Sequence, residues 1–229
     1  MKFFSARVVQ AALFGAVALG LAACDGFNIT FNDGESKIKG SGVAASETRT
    51  VANFDAIDAK GVGKLKLRIG DTESLKVFAD DNVLPLIKTE VKDGVLTLST
   101  HGAALSKTDI VFEVTARHIK RMENSGTVSI DASGFDGGEL SVETSGVGSI
   151  KLNGRVDSFQ AELSGVGSLE ADALVADRVA TTLSGVGSAH VRADKSLRAN
   201  VSGVGSLSWT GAATEVSTNV SGIGRVSKG

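Results

Sequence analysis

Ser145-Gly146-Val147-Gly148-Ser149 is the phrase on which the reading of this chain turns. It returns as Ser164-Gly165-Val166-Gly167-Ser168, as Ser184-Gly185-Val186-Gly187-Ser188 and as Ser202-Gly203-Val204-Gly205-Ser206. It closes as Ser221-Gly222-Ile223-Gly224-Arg225. The first serines stand 19, 20, 18 and 19 residues apart, and a degenerate copy, Ser125-Gly126-Thr127, lies 20 residues upstream. A fixed period of this size marks a solenoid, in which each repeat is one coil stacked on the last. The expected class is therefore all-β, a parallel β-helix or solenoid with coils of about 19 residues.

Between the motifs, alternate positions are apolar. Phe159, Ala161 and Leu163 precede one motif; Leu169 and Ala171 follow it. Period two is the pattern of a strand with one buried face. Reading the central Val as inward places the buried positions three apart, at Leu163, Val166 and Leu169. The period would then break at the motif, so the chain is expected to bend there, with the flanking glycines supplying the freedom for a corner. Backbone groups in stacked parallel strands bond to the rungs above and below, and the ends of the stack need caps. Trp209, the only Trp, falls in the last full coil and is expected to fill the end of the core.

The repeat also predicts which residues meet across rungs, about 4.8 Å apart. Six residues beyond each motif serine stand Asp131, Lys151, Glu170, His190 and Ser208, an alternating charge ladder at its start; two further on, Asp172 is expected beside Arg192. Two residues before each serine stand Glu123, Glu143 and Glu162, then Thr182, Asn200 and Asn219. Three carboxylates on consecutive rungs repel one another. Either they form a hydrated face relieved by Arg121, or the column is a stripe for a cation or a partner, continued by amides and hydroxyls suited to glycans or another protein. This stripe is the candidate binding surface.

The N-terminus carries a second signal. Lys2 and Arg7 precede an apolar stretch, Val8–Leu21, and Leu21-Ala22-Ala23-Cys24 follows with the only cysteine. The stretch reads as a secretory signal, and small residues before a lone Cys look like a bacterial lipobox, in which the thiol is lipidated. The alternative is an ordinary cleaved signal followed by a free thiol. The expected organisation is a signal peptide over 1–23, a lipid-anchored tether over 24–49 and a β-solenoid over 50–229, in the cell envelope on a membrane left open. A formal charge of −2 offers nothing basic for nucleic acid.

Gly61-Val62-Gly63 repeats the corner chemistry ahead of a strand, and lacks the earlier glycine and the hydroxyl residue of a phosphate loop. Val91-Lys92-Asp93-Gly94-Val95-Leu96 reads as a hairpin with Asp-Gly at its turn. His101, His118 and His190 have no ligand spacing, and the corners carry no Asp for calcium, so no metal or cofactor is expected.

The Phe54-x-x-Ile57 opening, the Asp93–Leu96 turn and the serial Ser-Gly-x-Gly corners resemble the family of bacterial envelope proteins called putative autotransporter adhesin, head GIN domain. The resemblance runs from about Thr50 to the C-terminus. It implies a right-handed, pectin-lyase-like β-helix without a catalytic set, hence a non-enzymatic lipoprotein for adhesion or binding whose partner is a glycan or a surface protein. A carbohydrate-active β-helix enzyme and a structural or regulatory lipoprotein are the alternatives. The sequence leaves the oligomeric state open.

Overall fold

The computed structural model describes residues 38–100 and 106–229. Cys24 and His101 lie outside them. The described elements are strands, apart from one short 3-10 turn at Leu84–Leu86. The irregular half comprises β1 (Ala44–Arg49), β2 (Ala56–Ala59), β3 (Val62–Ile69), β4 (Ser74–Asp80), β5 (Ile87–Lys92), β6 (Val95–Thr100), β7 (Val111–Ala116) and β8 (Arg121–Asn124). The regular half comprises β9 (Thr127–Asp136), β10 (Glu139–Thr144), β11 (Val147–Leu163), β12 (Val166–Leu183), β13 (Val186–Val201), β14 (Val204–Thr210), β15 (Glu215–Val220) and β16 (Ile223–Lys228).

The strands stack as the repeat predicts. β11, β12 and β13 each bend, so that their two halves pair in different walls of the solenoid. One wall runs β1-β4-β7-β3-β9, then the first halves of β11, β12 and β13, then β14 and β16. The other runs β5-β6-β2-β8-β10, then the second halves of β11, β12 and β13, then β15. Pairing is parallel except at the N-terminal end, where β1/β4, β4/β7 and β5/β6 are antiparallel. The β5/β6 turn is the expected hairpin: Asp93 and Gly94 have φ of 50° and 79°, which a two-residue turn of this hand requires.

β1 lies in the stretch expected to be tether, and it pairs residue by residue with β4. The chain therefore joins the sheet before residue 50. In-register columns of apolar side chains fill the space between the walls. Leu140, Phe159, Val179 and Leu197 form one such column, Ile130, Ile150, Leu169, Ala189 and Leu207 another, all buried.

The corner differs from the expectation in one respect. Val147, Val166, Val186 and Val204 point outward, about half exposed at 49%, 53%, 51% and 47%. The alternation never breaks. From Leu163 to Leu169 the parity is continuous, with Gly165 and Gly167 taking the inward positions and Val166 the outward one. Glycine is needed because the rungs touch backbone to backbone there. Ser184 and Gly185 both donate their N–H groups to the Leu163 carbonyl, at 2.9 and 3.0 Å. A Cβ on Gly185 would overlap the carbonyl oxygen of Gly165.

Candidate functional site

The candidate stripe is one physical column. Glu123 pairs with Glu143, Glu143 with Glu162, Glu162 with Thr182, Thr182 with Asn200 and Asn200 with Asn219. All six project from the outer face of the β15 wall, because their neighbours at odd steps are the buried columns. The sequence reading stopped one rung short: Asp58 pairs with Glu123 and extends the acidic run to four carboxylates. Asp58 stands at the same offset, two residues before Lys60, which takes the serine's place ahead of the Gly61-Val62-Gly63 corner.

Repulsion along the acidic run is met locally. Lys60 Nζ lies 2.8 Å from Asp58 Oδ2, and Arg121 Nη1 lies 3.7 Å from Glu123 Oε2. The Asp58 carboxylate beside it raises the Lys60 pKa. Among the described residues no three His, Cys, Asp or Glu side chains gather closely enough to hold a metal ion. Glu143 and Glu162 are solvated, Glu123 is half-buried beside Arg121, and Asp58 at the end of the run is buried against Lys60 with its Oδ1 lacking a hydrogen-bond partner.

The other half of the wall has a different chemistry. Beside Thr182, Asn200 and Asn219 runs the column Gln160, Ala180, Arg198 and Ser217, and beside that Ser158, Arg178, Ser196 and Glu215. Ser158, Arg178, Ser196, Glu215, Arg198 and Ser217 line a shallow groove of about 520 Å³. Arg178 and Arg198 sit diagonally across adjacent rungs, exposed, and neither makes an ion pair with a described residue. The arrangement presents two guanidinium forks, three serine hydroxyls and a ladder of amides at about 4.8 Å spacing. It can bind a long, polyhydroxylated or anionic ligand along the rungs. The sequence reading missed both arginines because they lie four and six residues upstream of their motifs, outside the columns it followed.

The opposite wall carries the expected charge ladder, and it is longer than expected. Lys76, Glu113, Lys66, Asp131, Lys151 and Glu170 alternate in sign across six rungs and lead into His190 and Ser208. Lys66 Nζ is 3.3 Å from Glu113 Oε1, and Ser208 Oγ is 2.6 Å from His190 Nδ1. Exposed pairs of this kind contribute ~0–1 kcal/mol each and fix register more than they stabilise. Asp172 does not meet Arg192. The register slips between Ala171 and Val175, where Asp172 and Ala173 are exposed and Leu174 turns into the core, and Arg192 Nε instead lies 3.5 Å from Asp194. Asp177, held by Lys195 at 2.8 Å and Arg155 at 3.0 Å, has its pKa lowered, first by the Lys195 hydrogen bond.

Lys64 pairs with Asp109 at 2.7 Å at the Gly61–Gly63 corner, in keeping with a corner rather than a phosphate loop. Trp209 is 7% exposed near the end of the core, with Lys228 Nζ 4.6 Å from its ring centroid.

A parallel β-solenoid with polar outer walls and a repeated Ser-Gly-x-Gly corner defines a scaffold of the adhesin-head type. The chain belongs to the family described as putative auto-transporter adhesin, head GIN domain, whose sequence profile matches residues 53–213. Its fold is similar to the crystal structure of a putative adhesin from Bacteroides fragilis, with 25% identity and a TM-score of 0.71, covering 83% of this chain and 99% of that one. A putative adhesin from Parabacteroides distasonis shares 21% identity with a TM-score of 0.53, over 85% of this chain and 100% of that one. One from Parabacteroides merdae shares 19% identity with a TM-score of 0.51, over 84% and 99%. No curated protein matches the chain in sequence.

Proposed function

We propose that this protein is a lipid-anchored, non-enzymatic binding module of the bacterial cell envelope, using the β15 wall to hold a glycan chain. The family description supports an adhesion or binding role at the cell surface. The observation that carries the reading is the groove of Arg178, Arg198 and their serine neighbours beside the Thr182–Asn200–Asn219 ladder. A ligand that repeats along its length suits a surface that repeats along its length, since each added rung adds the same small contribution. The paired guanidiniums favour glycans that bear carboxylate or sulfate groups.

The test is binding of the solenoid to arrayed polysaccharides and to intact cells. Arg178→Ala with Arg198→Ala is expected to weaken binding to acidic glycans at least about tenfold and to flatten its salt dependence. Thr182→Ala, Asn200→Ala and Asn219→Ala together weaken binding to neutral and acidic glycans alike. Binding unchanged in both variants removes this wall as the site. Capture of a surface protein in place of any glycan overturns the choice of ligand.

The anchor rests on the lipobox-like Leu21–Cys24. Cys24→Ser is expected to abolish lipid attachment and leave a soluble or unprocessed form. A variant that still fractionates with membranes as a mature-sized, lipid-modified species defeats the anchoring proposal and leaves the binding wall untouched.

A further inference from the structure

The wall opposite the glycan groove carries a charge order with a property of its own. Along consecutive rungs it reads Lys76, Glu113, Lys66, Asp131, Lys151, Glu170. The run is even in number and strictly alternating, so read backwards it has the opposite sign at every rung. All six side chains are exposed. Lys66 and Glu113 touch each other at 3.3 Å, and Lys76 lies over the Phe78 ring, 4.8 Å from its centroid. Among the described residues Asp131, Lys151 and Glu170 make no ion pair, although opposite charges stand on the neighbouring rungs. Their heads are turned to solvent and free to meet a partner.

A surface whose charge order inverts on reversal is complementary to a second copy of itself. Rotation by 180° about an axis parallel to the strands, placed between β3 and β9, brings two such walls face to face with their rungs in opposite order. Lys76 then faces Glu170, Glu113 faces Lys151 and Lys66 faces Asp131, and each contact occurs twice. The flanking columns raise no conflict. Arg68, in the column of Ser74, Thr115 and Ser133, faces Ser133 of the second copy, and Lys64 faces Ser129. The other two-fold arrangement, with the rungs in the same order, sets every charge against its own like. The acidic column of the β15 wall, Asp58, Glu123, Glu143 and Glu162, has one sign throughout and offers no such match.

We infer that the ladder wall is a homophilic interface, through which two copies of this chain pair antiparallel and wall to wall. Six rungs about 4.8 Å apart and three outward columns about 6.6 Å apart give a patch of roughly 600 Å² on each copy. That is the low end of specific interfaces, so the pairing is reversible, and its charge order supplies register and partner choice. Both β15 walls remain outward and open to ligand. The β1 ends point in opposite directions, so two copies tethered at their N-termini can bridge facing surfaces.

Sedimentation velocity of the full chain in non-ionic detergent tests the pairing. A dimer is expected at low ionic strength, and it should dissociate as salt shortens the screening length from about 30 Å to about 3 Å. Asp131→Lys alone and Lys66→Glu alone each set like charges together twice and are expected to weaken association at least about tenfold. An equimolar mixture of the two variants is expected to dimerise as wild type does, because each altered site then meets the other's with opposite sign. Lys151→Glu and Glu113→Lys form a second complementary pair, which keeps the test decisive if a variant in the first folds poorly. Glu143→Lys, on the β15 wall, should leave association unchanged. A monomeric wild type at low salt, single variants that still dimerise, a mixture that stays monomeric, or growth into longer polymers each overturns the antiparallel interface.

Discussion

Gly185→Val is expected to cost at least about 3 kcal/mol, the upper range for overpacking a well-filled site. A loss of that size lowers the melting temperature of a domain this long by roughly 6–12 °C. The added Cβ would overlap the Gly165 carbonyl oxygen, and the Ser164 carbonyl oxygen would stand 2.7 Å from it. Both groups are backbone, and the Gly165 oxygen already accepts the Val186 N–H at 3.0 Å, so neither can rotate away. The rung would have to lift, breaking the long parallel ladder between β12 and β13.

Two controls at the same corner separate this account from a general intolerance of the motif. Ser184→Ala removes only a 3.5 Å contact from the hydroxyl to the Leu163 carbonyl and should cost less than about 1 kcal/mol. Val186→Thr changes a half-exposed side chain and should be close to neutral. Urea unfolding of the three variants measures the differences. Equal midpoints for Gly185→Val and wild type would mean that rung-to-rung backbone contact does not set the corner.

The corner shows where the sequence was readable and where it was not. A glycine has no side chain to declare which way it faces, so Gly165 and Gly167 hid the inward positions, and the apolar Val166 between them was assigned to the core. The parity from Leu163 to Leu169 held the answer, since six is even. The stripe was readable because Glu123, Glu143 and Glu162 stand at one offset from their motifs, and stacked motifs transmit that register without error. The same logic failed for Asp172 and Arg192. They lie on the far side of a bend where coils of unequal length absorb their extra residues, and an offset counted from the motif no longer measures position. In the first half the Gly61-Val62-Gly63 corner and the Asp93-Gly94 turn marked local elements but carried no sign of the strands' directions elsewhere. That β4 runs antiparallel to β1 and β7 depends on partners far away in sequence.

Asp80 is the clearest of those distant dependencies, and its removal is the second large effect expected. The side chain is fully buried at the end of β4. One carboxylate oxygen accepts the Thr108 hydroxyl at 2.6 Å and the Thr108 N–H at 3.1 Å. The other accepts the N–H groups of Lys107 at 2.9 Å and Gly42 at 3.2 Å. One charge thereby pins the segments leading into β1 and β7 to the end of β4. The Thr108 hydroxyl bond, with the three backbone N–H donors, holds the Asp80 pKa down at about 2 against the opposing effect of burial. An unfolded chain titrates the same group near about 3.9. Because the folded value is the lower one, the stabilisation is fully present above about pH 4 and is lost as the pH falls through the folded pKa, near 2. Asp80→Asn keeps the shape but turns an amide N–H₂ toward groups that are all donors. Its melting temperature should fall well below wild type at pH 7, and the gap should narrow as both proteins are taken from pH 4 towards pH 2. Thr108→Val should show the same convergence with a smaller gap, since it removes one of the four donors. Melts across this range decide the matter: a gap that stays constant with pH would show that Asp80 acts through its shape alone, and the charge would then have no part in holding the N-terminal strands to the solenoid.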